Sequence, residues 1–253
     1  MIRAALLAFF LPTAALATGE EIVSGLSQNR VAITANFDGS EILIYGAVKR
    51  DAPAPKDNPM GVIVTVEGPS TPVVIRRKER VAGIWVNTSA VTVGSAPAFY
   101  AVASSGPLDK ILSGTDNLRY RITLDLVIRA IGITEEASEA ETFVEALQRI
   151  RSADETYREM QGRVQLVDET LFRTDIALPA NLTEGDYKVR MFITRGGRVI
   201  DTKERVIGVR KAGLERDLYV MAHERPFLYG LISLALAAVA GWAASAAFRL
   251  IRR

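Results

Sequence analysis

Gly185-Asp186-Tyr187-Lys188-Val189-Arg190-Met191-Phe192-Ile193-Thr194, running into Arg195-Gly196-Gly197-Arg198 and Val199-Ile200, is the stretch that decides the architecture of this chain. Tyr187, Val189, Met191 and Ile193 recur at every second position, so they fall on one face of a strand. Gly196 and Gly197 tolerate the positive φ angles of a two-residue reversal, and residues 199–209 are expected to return as the partner strand. Upstream, Phe172, Thr174, Ile176 and Leu178 also alternate, run into Pro179, and are separated from Gly185 by a turn at 181–185. A Gly-x-Tyr-x-Val strand paired through a Gly-Gly turn is a common way to close an immunoglobulin-like antiparallel sandwich.

The first half carries the same pattern. Val31, Ile33 and Ala35 alternate with polar neighbours, Asp38-Gly39-Ser40 reads as a turn, and residues 41–48 follow as a second strand. Three prolines between 52 and 59 mark a loop before the valine-rich run 61–67, which Gly68-Pro69-Ser70 closes. Residues 73–75 and 81–87 flank Arg76-Arg77-Lys78-Glu79-Arg80, the expected charged turn of a hairpin. That basic cluster reads as a solvated hairpin tip, with an anion site as the alternative. Many short strands at this spacing predict a mainly β, sandwich-like body of one or two units.

Between the two β regions the pattern changes. Residues 107–113 suggest a short helix. Leu118, Tyr120, Ile122, Leu124, Leu126 and Ile128 alternate, which favours a strand, although a helix from Thr115 fits as well. Thr134 is a candidate cap for a helix with Glu135 and Glu136 in its first turn and Arg149 and Arg151 in its last. Ala140, Phe143, Leu147 and Ile150 would form its packed face. A second helical stretch is expected over 154–160. The resulting organisation is an N-terminal β unit at 18–105, a helical insertion at 106–162 and a C-terminal β unit at 163–212. Lys211-Ala212-Gly213 reads as a hinge, and a membrane-proximal helix at 213–226 follows, with Leu214, Leu218 and Met221 on it and Pro226 at its end.

The two ends predict a membrane topology. Arg3, the apolar run 4–11, Pro12 and Ala15-Leu16-Ala17 have the form of a secretory signal peptide at 1–17, cleaved after Ala17; an uncleaved N-terminal anchor is the alternative. Residues 227–248 hold no charge, and at about 1.5 Å per residue such a helix covers about 33 Å, enough for a hydrocarbon core of about 30 Å. Phe227 and Tyr229 at one end and Trp242 and Phe248 toward the other form a loose aromatic belt. Arg249, Arg252 and Arg253 follow, so the tail 249–253 is expected on the cytoplasmic side. That tail is too short to hold a kinase, cyclase or DNA-binding domain. Ser233, Ala237, Gly241 and Ser245 stand at four-residue steps, a small-residue stripe on which another helix could pack closely. Eight alanines in the span also make such a stripe easy to reach by chance. The stripe does not distinguish a homodimer from docking on a larger membrane protein.

Composition narrows the chemistry. The 253 residues include no cysteine and a single histidine, which excludes disulfides, thiol catalysis and Cys-ligated metal centres and removes most Ser/His and multi-His arrangements. Of 31 basic and 29 acidic residues, four arginines lie in the leader and tail; without them 27 face 29, a net of −2. A near-neutral body offers no electrostatic basis for binding nucleic acid. His223 sits beside Glu224 and Arg225 at the expected water boundary. Glu135, Glu136, Glu139 and Glu141 read as a solvated helix face, and Asp168-Glu169 as an ordinary pair before a strand. P-loop, nucleophile-elbow and dinucleotide motifs are absent, and Asn87 and Asn181 stand in glycosylation sequons of a kind that arises often by chance. No catalytic, cofactor or metal residue is expected.

Gly25-Leu26-Ser27, residues 42–47, Trp85-Val86-Asn87, Phe99-Tyr100-Ala101-Val102, Leu171-Phe172-Arg173, Leu178-Pro179-Ala180 and Gly185-Asp186-Tyr187 resemble the alphaproteobacterial putative transmembrane protein family of unknown function. The closest likeness is at the end, in Pro226-Phe227-Leu228-Tyr229-Gly230, Gly241-Trp242-Ala243 and Phe248-Arg249. The resemblance implies an inner-membrane protein with a periplasmic body and brings no ligand or catalytic residues with it. The resemblance also implies that members tend to be encoded beside sulfite-exporter-like permeases. The expectation is a non-enzymatic, single-pass accessory or binding module, embedded in the lipid bilayer beside a transmembrane partner such as a permease or a second copy. A tethered carboxylate hydrolase and a self-associating envelope protein are the alternatives.

Overall fold

The computed structural model describes residues 19–34, 37–51, 53, 55, 58–128, 137–212 and 214–251. The expected leader, Ala35, the helix start at Thr134 to Glu136, Gly213, and Arg252 with Arg253 lie outside the described residues.

The chain runs through β1 (Glu20–Leu26), β2 (Arg30–Ile33), β3 (Ser40–Arg50), β4 (Met60–Glu67), β5 (Ser70–Val81), β6 (Ile84–Pro97) and β7 (Tyr100–Ser104). Four helices follow, α1 (Leu108–Ile111), α2 (Gly114–Tyr120), α3 (Leu124–Val127) and α4 (Ala137–Ala153). The chain then returns to β structure with β8 (Tyr157–Met160), β9 (Gln165–Val167), β10 (Leu171–Leu178), β11 (Gly185–Arg195) and β12 (Arg198–Lys211), and ends in α5 (Leu214–Glu224) and α6 (Pro226–Ile251). The strands form three sheets, ordered β1-β3-β10-β9, β2-β12-β11-β4-β7-β8 and β5-β6.

The two larger sheets share one hydrophobic core. Ile22, Ile42, Ile44, Val48, Phe172 and Ile176 from the first meet Val62, Val64, Val66, Val189, Met191, Ile193, Ile207 and Val209 from the second. At about 1.5–3 kcal/mol per fully buried side chain of this size, that layer is the main source of stability. A second core covers the opposite face of the six-stranded sheet. There Ile63, Tyr100, Val102 and Phe192 pack with Leu108, Leu112, Ile122, Ile128, Phe143 and Leu147 of the helical segment and with Ile75 and Val93 of the hairpin. β4 is therefore buried on both faces, which is why its sequence is a nearly continuous apolar run, interrupted only by the buried Thr65, rather than an alternation. Strands from 18–105 and from 163–212 hydrogen-bond to one another throughout: β3 lies between β1 and β10, and β4 between β7 and β11.

Two aromatic rings cover glycines on neighbouring strands. Tyr45 pairs with Gly25 and Phe172 with Gly46, and a Cβ on Gly46 would lie 2.5 Å from the Phe172 ring. The Gly-Gly reversal is as expected, with φ of 56° at Gly196 and 78° at Gly197, and Tyr187, Val189, Met191 and Ile193 are all buried.

Several expectations are corrected. The body is not wholly antiparallel, because β12 pairs with β2, and β7 with β8, in parallel. Of the two readings of residues 118–128, the strand is not found: the stretch holds the end of α2, α3 and the turn between them, as the helical alternative has it. Ser113 caps α2 by accepting from the Asp116 N–H at 3.2 Å, and Arg121, at φ 50°, ends it. The Asn117 side chain then accepts from the N–H groups of Ile122 and Thr123, a local backbone satisfaction that competes with strand pairing. Residues 154–160 do not continue as a helix: Glu155, at φ 57°, breaks the chain direction and β8 pairs with β7. On α4, Phe143 and Leu147 are buried but Ile150 is exposed. Finally, Arg76 to Arg80 are not a turn. They lie within β5, and the reversal is at Ala82-Gly83.

Candidate functional site

Ser233, Ala237, Gly241 and Ser245 all lie on α6, and all four are exposed. Successive four-residue steps advance about 40° around a helix of 3.6 residues per turn. The stripe therefore winds across the face, the geometry of a right-handed close crossing between helices. A Cβ built on Gly241 meets nothing within 4 Å, so this position is open to an approaching backbone. Residues Pro226–Ser245 are long and apolar enough to cross a membrane, and none of that segment is buried against the body. The junction with α5 keeps helical hydrogen bonds, from the Arg225 N–H to Met221 and from the Tyr229 N–H to Arg225, both 3.0 Å. Pro226 occupies the first position of α6, where its missing N–H costs least. Near the end of α5, His223 stacks on Tyr219 with 4.0 Å between ring centroids, and its Nδ1 lies 2.9 Å from the Tyr219 carbonyl oxygen.

A charged cluster that the sequence reading missed ties the start of β1 to the β11–β12 turn. Arg195 donates to both carboxylate oxygens of Glu20, at 2.8 Å and 2.7 Å, to the Asn58 carbonyl at 2.6 Å and to Glu169 at 3.1 Å. Arg50 stands 3.7 Å from Glu20 and donates to the Glu169 carbonyl. The side chains of Glu20 and Arg195 are each only 8% exposed. Hydrogen bonding from Arg195, aided by the charges of Arg195 and Arg50, holds the Glu20 carboxyl below its ordinary range against the opposing pull of burial. The Glu20 hydrogen bond likewise raises Arg195 above its ordinary value. The Ile22 N–H also donates to Asp201 at 2.7 Å, so β1 is pinned to β12 as well as to β3. Glu169, read from sequence as one of an ordinary pair, is a member of this cluster. No local pattern announces it, since Glu20 and Arg195 are separated by 175 positions.

The β5–β6 hairpin is the third feature. Its base is anchored by Ile75 and Val93 in the second core, but residues 76–88 are exposed throughout. At its extremity stand Val81, Ile84 and Trp85, the last two 67% and 69% exposed, with Val86 behind them. Arg80 pairs across the ladder with Trp85 and Lys78 with Asn87. Arg77 lies 3.3 Å from Glu79 and places its guanidinium 5.6 Å from the centre of the Phe143 ring. Among the described residues, no group of three His, Cys, Asp or Glu is placed to hold a metal ion.

Among the described residues, a mainly β body is followed by one exposed helix long and apolar enough to be a candidate membrane span. The chain belongs to the family described as "Putative transmembrane protein (Alph_Pro_TM)", whose model matches residues 21–250. No curated protein matches it.

Proposed function

We propose that the chain is a single-pass inner-membrane protein whose body stands on the periplasmic side and whose function is non-enzymatic, as an accessory subunit of a multi-spanning partner such as a permease. Its two larger sheets are read as an immunoglobulin-like sandwich extended at its edges by parallel strands. The observation that carries the reading is the face of α6, where Ser233, Ala237, Gly241 and Ser245 leave a winding lane of small side chains with open space over Gly241. In lipid, association depends on close backbone approach rather than on hydrophobic burial, so this lane is where a second helix gains most. The basic tail after the span favours a cytoplasmic C-terminus.

Replacing Ala237 and Gly241 together with Leu fills the lane without altering the span. The expected result is loss of partner recovery when tagged full-length protein is purified from native membranes, with unchanged membrane insertion. Undiminished recovery refutes docking through this face. Crosslinking of the same membranes separates a partner from a second copy, because a homodimer gives one band at twice the chain mass. For the hydrolase alternative two converging carboxylates are needed. Glu20 and Glu169 do converge, but on the Arg195 guanidinium, and the lowered pKa of Glu20 is the opposite of what a general acid requires. That arrangement supports a structural role for the pair.

A further inference from the structure

We propose that the tip of the β5–β6 hairpin inserts into the surface of an anionic lipid bilayer, giving the body a second point of attachment to the membrane that α6 enters. The tip is apolar where a hairpin tip is ordinarily polar. Val81, Ile84 and Trp85 flank the two-residue turn and are exposed, so nothing among the described residues covers them. Directly behind stand Arg76, Arg77, Lys78 and Arg80 against a single Glu79, a net of +3 on a body whose own balance is −2. A bulky indole with aliphatic neighbours at the extremity and a collar of cations behind it matches the bilayer boundary, where Trp settles at headgroup depth and Lys and Arg meet lipid phosphates.

The placement of the hairpin in the fold agrees. Its base pair is Ser70 and Pro97. The adjoining Pro69 lies against Gly185, where a Cβ would come within 2.8 Å of it, and Gly185 pairs with Val209 at the end of β12 that leads to α5. The hairpin thus starts from the end of the six-stranded sheet nearest the tether. α5 is 11 residues long, about 16 Å at the helical rise. From the anchored Ile75 to Val81 the hairpin extends roughly 20 Å at about 3.3 Å per residue, of the same order as the length of α5. The proposal rests on α6 being in the membrane but not on any protein partner.

The test uses full-length protein in nanodiscs. Of the two tryptophans, Trp242 is replaced in a Trp242→Phe background so that Trp85 alone reports, and quenching by lipids brominated on their acyl chains is measured. In discs rich in phosphatidylglycerol, Trp85 emission is expected to shift to the blue and to be quenched by the brominated lipid. In phosphatidylcholine discs, or with Arg76, Arg77, Lys78 and Arg80 all changed to Gln, quenching falls several-fold, since each cation near an anionic surface contributes roughly a fivefold factor. Trp85 that stays open to aqueous acrylamide and unquenched by lipid in the anionic discs overturns the proposal, as does quenching that ignores lipid charge. A tip that docks on protein instead is unquenched by lipid yet shielded from acrylamide, which also overturns the proposal and leaves the reading of α6 untouched.

Discussion

Substituting Arg195 by Ala is the sharpest probe of how the body is held together. The guanidinium makes four hydrogen bonds, two of them to Glu20, and both side chains are 8% exposed. Removing one partner of a buried pair costs about 3–5 kcal/mol because the other charge stays buried without compensation. Arg50 remains 3.7 Å from Glu20 and softens the loss, which places the expected cost near the lower end, about 3 kcal/mol. For a body of this size that corresponds to a fall in Tm of roughly 6–12 °C. The companion double variant, Arg195→Met with Glu20→Gln, removes both charges and is expected to lose less than Arg195→Ala alone. The pH dependence follows from the same contact. The folded Glu20 pKa lies below its ordinary 4.5, so the folded state binds its proton less readily than the unfolded chain. Its contribution is complete above about 4.5 and is lost as the pH falls through the lower, folded value. Thermal unfolding of full-length protein in detergent, followed by near-UV circular dichroism at neutral and acidic pH, reads both effects. A fall in Tm below about 2 °C for Arg195→Ala, or an acid sensitivity identical to that of the parent, refutes the clamp.

Other substitutions test the sheets. Gly46→Ala forces a methyl against the Phe172 ring, 2.5 Å away before relaxation, and is expected to cost about 1–3 kcal/mol in the same thermal assay; a neutral outcome means the ring is not seated on Gly46. Ala82 holds φ at 49° beside Gly83 at 87°, a conformation that costs an ordinary side chain about 1 kcal/mol. Ala82→Asn, making an Asn-Gly reversal, is expected to slow amide exchange along β5 and β6 several-fold. Unchanged or faster exchange contradicts the turn assignment.

What could be read from sequence follows from the range of the interactions involved. The β11–β12 hairpin and β10 were legible because side-chain alternation and two glycines encode them within about forty residues. The charged stretch 76–80 misled because polarity usually marks a turn, whereas the hairpin beyond Ile75 is exposed throughout residues 76–88 and only φ at Ala82 and Gly83 marks its reversal. Residues 118–128 misled for another reason. Their apolar spacing suits a strand, but Ser113 and Asn117 offer the backbone local partners that end one short helix and begin the next. β8 depends on a parallel partner that sits more than fifty residues earlier, and no local pattern carries that pairing. The small-residue lane was visible at once, being a simple periodicity on a single helix, while the Glu20–Arg195 cluster exists only once the ends of the body are brought together.

The interleaving of early and late strands sets an order of events for the newborn chain. β10 fills the gap beside β3, and β11 the gap beside β4, so neither large sheet can be completed from the first hundred residues. The body closes only after the chain has been released to about Lys211, with α5 and then the apolar helix still to emerge. Until then β3 and β4 each present an unsatisfied ladder edge, the condition under which strands recruit wrong neighbours. A ribosome stalled before β10, or a truncation there, leaves a sticky half-sheet rather than a smaller working protein.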